Sequence, residues 1–71
     1  MEALETKPLK ILRLNAVKAK TGQPTSTIYA AMASGNFPKA IPLGERTVGW
    51  LESEIDSWIE SRVRARDRAS S

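Results

Sequence analysis

Three consecutive hydroxyl residues, Thr25, Ser26 and Thr27, stand where the sequence can begin a helix, with Tyr29 two residues further on. Such side chains donate and accept hydrogen bonds, but they break covalent bonds only beside an activating base. At a helix start they sit next to free backbone N–H groups, which favour an anion. The hydroxyls can bond phosphates or base edges, and the threonine methyls can touch a thymine methyl. Tyr29 is long enough to reach a backbone phosphate. Two cations downstream, Lys39 and Arg46, suit phosphate or minor-groove contact. Taken singly, each residue has a plainer use. Thr25 and Ser26 can cap a helix, Tyr29 can line the rim of a core, and the two cations can be solvated. The whole arrangement points to recognition of a polyanion.

Other chemistry lacks its parts. The chain has neither cysteine nor histidine, so disulfides, thiolate metal sites and the commonest general base are excluded. Glu52, Glu54, Asp56 and Glu60 form an acidic run, expected on the outer side of a helix with no partner or pocket. The reading is therefore of a non-enzyme with no cofactor and no metal. No apolar run is long enough to span a bilayer. The opening MEALETKPLK is acidic before it is basic and has no apolar centre, which argues against a signal peptide. A cytoplasmic protein without a membrane partner is expected.

The net charge of +3 is unevenly spread. Residues 1–50 and 62–71 are basic, and residues 51–61 carry acids alone. A basic surface suits a polyanionic partner. With 71 residues the chain makes one thin-cored domain, burying about 60% of the surface it exposes unfolded.

The elements that must position these residues follow from local signals. Residues 1–9 read as a flexible leader, residues 10–66 as the folded domain and residues 67–71 as a frayed tail. Ile11, Leu12 and Leu14 form an extended apolar entry. Asn15 is the expected cap of a helix over Ala16–Thr21 that buries Val17. Gly22 ends it, and Gln23-Pro24 makes the connection. Thr25 or Ser26 is expected to cap a second helix running to about Ser34, with Ile28 and Met32 on one face. Gly35-Asn36 stops it, and Pro38 prevents a restart. Helix, tight turn and helix make a helix-turn-helix.

Residues 39–43 and 46–50 then read as two strands joined by Gly44-Glu45 in a type II′ hairpin, with Pro42 restricting its strand to an edge. Ser53 and Asp56 suggest a capping box, opening a helix with Ile55, Trp58, Ile59 and Val63 on one stripe. Trp50 and Trp58 are expected to build the core. Lys18 and Lys20 are either solvated or flank a bound backbone. The arginines from Arg62 to Arg68 suit a helix C-terminus, a grip on DNA or a neighbouring protomer. The expected fold is mainly α with a small β-hairpin: a winged helix-turn-helix of three helices and a two-stranded wing.

The stretch from Ile11 to Arg62 resembles the AlpA-like prophage regulators, relatives of phage excisionases and distant cousins of MerR-type domains. The likeness rests on Leu12, Leu14 and Val17, on Thr21-Gly22, and on Ser26-Thr27-Ile28-Tyr29. Further anchors are Gly35, Phe37-Pro38-Lys39, Leu43-Gly44, Arg46, Val48-Gly49-Trp50-Leu51, Ser53-Glu54-Ile55-Asp56 and Trp58-Ile59. No single anchor is specific, but their order and spacing are. The resemblance implies a regulator of a mobile element that binds double-stranded DNA, as a transcriptional regulator or as an excisionase. Residues 25–34 would be its recognition helix and residues 39–50 its wing. Family members often carry basic residues where this chain has Thr25 and Ala30, which shifts base readout toward hydroxyls, shape and the wing.

A single module of this type covers only about 600–1,000 Å². Cooperative self-association on DNA, or a partner such as an integrase or RNA polymerase, would supply the remaining affinity. The competing class is a protein-interaction module that binds an integrase or another regulator, with weak or no DNA binding.

Overall fold

The computed structural model describes residues 9–70, so most of the expected leader lies outside the described residues. Six elements follow in order: β1 (Ile11–Leu12), α1 (Leu14–Thr21), α2 (Thr25–Ala33), β2 (Ile41–Pro42), β3 (Val48–Leu51) and α3 (Glu52–Ser70). The core takes one buried apolar side chain from each of β1, α1, α2, β3 and α3, and one from the connection after α2. These are Leu12, Val17, Ile28, Trp50, Ile55 and Phe37. No polar or charged residue among the described ones is buried with them.

Both tryptophans hold the connection between α2 and β2. The Trp50 indole N–H donates to the Pro38 carbonyl at 3.1 Å, and that of Trp58 donates to the Asn36 carbonyl at 2.8 Å. Phe37 lies between these two carbonyls in sequence and meets Trp58 edge-on, with ring centroids 4.9 Å apart. A large apolar body with one polar handle can fill a core and pin a loop at once.

Local conformation explains where the helices stop. Gly22 adopts φ 70° and donates its N–H to the Lys18 carbonyl, an αL end that glycine adopts without strain. Gly35, at φ 82°, turns the chain after α2. The helix starts differ from the caps read in the sequence. α1 begins at Leu14 with Arg13 as its extended N-cap, not at Asn15. The reason is tertiary: β1 pairs with β3, and Arg13 Nε donates to the Val48 carbonyl at 3.1 Å. α2 begins at Thr25 behind Pro24, with no side-chain cap. The restricted φ of proline and its preference for an extended approach set that entry, leaving Thr25 and Ser26 inside the first turn rather than before it. α3 begins at Glu52 directly from β3, one residue before the expected Ser53 cap. Asp56 pairs with Lys20 instead of reaching back.

The hairpin forms, with Ile41 opposite Gly49 and Pro42 opposite Val48. Its link is not the two-residue type II′ turn. Residues 43–47 lie between the strands, and positive φ occurs among the described residues only at Gly22 and Gly35. The N–H groups of Leu43 and Gly44 both donate to the Thr47 carbonyl, at 2.7 and 3.3 Å, closing a wider loop. Pro42 does sit on an edge, because the strand order is β1-β3-β2. The extended entry segment supplies the third strand, with Leu12 opposite Trp50. α3 continues to Ser70, past residue 66 where the folded part was expected to end. Among the described residues no helix is long and apolar enough to cross a membrane.

Lys20 bridges two helices. Its ammonium lies 2.7 Å from Asp56 and 3.2 Å from Glu52, so these acids do not stand unpartnered on the outer face as expected. The hydrogen bond to Asp56, then that to Glu52, raises the Lys20 pKa above its ordinary 10.5. A raised folded-state value contributes stability below the unfolded pKa and loses it as pH climbs through the folded one. Lys20→Gln is therefore expected to melt slightly below the parent protein at neutral pH, by a gap that closes as pH rises above 10.5. Paired thermal melts across the alkaline range check this, and a gap that widens there would contradict it.

Gly49 is buried in the middle of the sheet. A Cβ there would collide with Ile11 Cγ2 and lie 3.2 Å from the Leu12 carbonyl oxygen. Gly49→Ala is expected to cost roughly 1–3 kcal/mol by overpacking. Urea denaturation measures this, and an unchanged midpoint would remove the close β1–β3 contact from the account.

Candidate nucleic-acid interface

The sequence TSTIYAAMA makes α2 a helix without a single charge. Ile28 is its one fully buried residue, which fixes the helix orientation. Ser26 and Thr27 are exposed, and Thr25 is half-buried. The first α2 amide with a backbone partner is that of Ile28, which donates to the Pro24 carbonyl at 3.1 Å. The N–H groups of Thr25, Ser26 and Thr27 precede it and carry no side-chain cap. No acid lies in this first turn. The helix dipole therefore presents its positive end, beside hydroxyls, with no local carboxylate to neutralise it.

Tyr29 follows about one turn after Thr25 and Ser26, 42% accessible. Its ring meets Trp50 edge-on at 6.4 Å, so the core supports the ring. Its hydroxyl has no hydrogen-bond partner among the described residues. Lys39 is exposed and lines one shallow cleft with Tyr29, Met32, Ala33 and Ala40. The structure thus brings Tyr29 and Lys39 together, although ten residues of chain separate them. Trp50 makes this possible by holding the Pro38 carbonyl just before Lys39. Arg46 is exposed on the loop between β2 and β3. No hydrogen bond or ion pair among the described residues joins it to the other candidates.

Sequence reasoning missed the role of Arg13, whose guanidinium ties the start of α1 to β3. No spacing in the sequence signals a partner 35 residues away. Lys20, read as a candidate for flanking contacts, is engaged with Glu52 and Asp56. Among the described residues no group of three or more acids could hold a metal ion.

Comparison with known proteins bears on this geometry. A family model described as "Prophage CP4-57 regulatory protein (AlpA)" matches residues 10–63, from β1 into α3. The chain is 42% identical over 62 residues to the "DNA-binding transcriptional activator AlpA" of Escherichia coli (strain K12), a match covering 79% of this chain and 89% of that protein. It is 37% identical over 59 residues to the "Uncharacterized protein ORF88" of Enterobacteria phage P4, covering 83% of this chain and 67% of that protein. With its three helices, hairpin and matched span, this chain belongs to the AlpA family of prophage regulatory proteins.

Proposed function

We propose that this protein binds double-stranded DNA sequence-specifically and regulates genes of a prophage-type element. The observation that carries this reading is the first turn of α2, where uncapped N–H groups and three hydroxyl residues stand together with no acid among them. The relative in Escherichia coli, named as a DNA-binding transcriptional activator, supports the same reading. It favours control of transcription over excision.

In this mechanism α2 enters the major groove, with Thr25, Ser26 and Thr27 nearest the base edges. The Tyr29 hydroxyl reaches a phosphate. Lys39 at the base of the wing and Arg46 on its loop hold the adjacent backbone. A helix without cations makes few charged base contacts, so readout rests on hydroxyls, methyl contacts and duplex shape. One such module covers only about 600–1,000 Å². Copies on repeated half-sites, or RNA polymerase beside them, supply further affinity. Excision beside an integrase is the finer alternative, and it uses the same surface.

The test is an electrophoretic shift on duplex taken from the region upstream of the protein's own gene. Binding is expected at low salt, with log K falling along log salt at about 0.9 per phosphate contacted. No shift at low salt would leave only the protein-interaction reading.

Two substitutions separate the contact types. Arg46→Ala should weaken operator and unrelated duplex alike and reduce the salt slope by about 1. Thr27→Ala should leave that slope intact and narrow the preference for the operator by roughly 1 kcal/mol. Titrations on both duplexes decide, and an unchanged Arg46→Ala profile would take the wing out of the mechanism.

A further inference from the structure

α3 carries four arginines within seven residues, Arg62, Arg64, Arg66 and Arg68, and their surroundings differ. A cation near a helix C-terminus gains from the dipole, but only within the last turn. α3 ends at Ser70, so Arg62 lies more than two turns upstream of that end. Its neighbours at i±3 and i±4 are Trp58, Ile59, Ala65 and Arg66, none of them acidic. Arg62 has no hydrogen-bond or ion-pair partner among the described residues. Arg64, by contrast, has Glu60 and Asp67 at those helical distances. Arg66 pairs with Asp67 at 2.9 Å on an open surface, where such a pair contributes little.

Arg62 and Arg66 line a shallow cleft of about 310 Å³ together with Thr21 and Gln23. Those two residues flank Gly22 in the turn that leads into the first turn of α2. The opposite wall thus belongs to the helix-turn-helix itself. Arg66 lies about 40° from Arg62 around α3, and Arg64 about 160° from it.

We infer that Arg62, with Arg66 beside it, forms a second phosphate-binding site that grips the DNA backbone next to the stretch read by α2. This rests on the DNA-binding reading above and extends it from α2 and the wing to a third element. A planar guanidinium suits bidentate phosphate contact. The contact is independent of sequence and fixes the register of α2 on the duplex.

The test compares Arg62→Gln with Arg64→Gln in the full chain, which lose the same charge from opposite sides of one helix. Affinity for operator and unrelated duplex is measured from low to moderate salt, and thermal melts verify the fold. One phosphate contact is worth about eightfold at 0.1 M salt. Arg62→Gln is expected to lose about that factor on both duplexes, with the salt slope smaller by about 1. Arg64→Gln should change affinity by less than about twofold and leave the slope intact. Ethylation interference supplies a readout on the parent protein, and it should mark a phosphate whose modification no longer matters to Arg62→Gln. If the parent protein binds and the two variants behave alike, this inference falls while the DNA-binding reading stands. If the parent protein binds no duplex at low salt, both fall.

Discussion

The architecture depends on two indole N–H bonds to the carbonyls on either side of Phe37. The connection after α2 bonds its first N–H groups back to α2, but the carbonyls of Asn36 and Pro38 find their partners in the two indoles. Each such bond contributes about 0.5–1.5 kcal/mol. Trp50 comes from β3 and Trp58 from α3, so the sheet and the long helix close on the same three residues. The shared anchor sets α2 and the hairpin side by side. Without it, Tyr29 and Lys39 would have no reason to line one cleft.

Charge is arranged around that frame with equal economy. Glu52 and Asp56 could have placed a negative patch near the end of α1. Lys20 reaches across from α1 and pairs with both, halving their net charge. α2 stays uncharged throughout, and its positive dipole end is left undisturbed. Glu52 and Asp56 are thereby engaged within the fold, while Glu54 shares a cleft with Lys39.

Much of this was legible in the residues because the deciding forces were local. Gly22 and Gly35 end their helices through backbone freedom that few other residues have. Pro42 marks an edge because it has no N–H to give, and Ile28 turns inward on helical spacing. The helix starts were not legible. Asn15 is the better capping residue in isolation, yet the pairing of β1 with β3 moves the start to Leu14. A two-residue strand carries too little pattern to announce itself, so the third strand was visible only as an extended entry. The Lys20 bridge was hidden because its partners lie far along the chain, whereas the hairpin loop is closed by local bonds to Thr47. Of the six candidate contact residues, Thr25, Ser26 and Thr27 were placed at the start of the second helix by sequence, though with Thr25 or Ser26 as its cap and not within its first turn. The meeting of Tyr29 with Lys39 depended on the tryptophan anchors.

A core built from single contributions has a consequence for turnover. Leu12, Val17, Ile28, Phe37, Trp50 and Ile55 are its enclosed members, and partly buried neighbours such as Leu14, Met32, Val48 and Trp58 pack against them. Peeling away any segment removes its enclosed side chain and uncovers the others, so partial opening gains little over complete opening. Opening that starts in one segment thus tends to spread, and it exposes the backbone of the whole thin domain to proteases together.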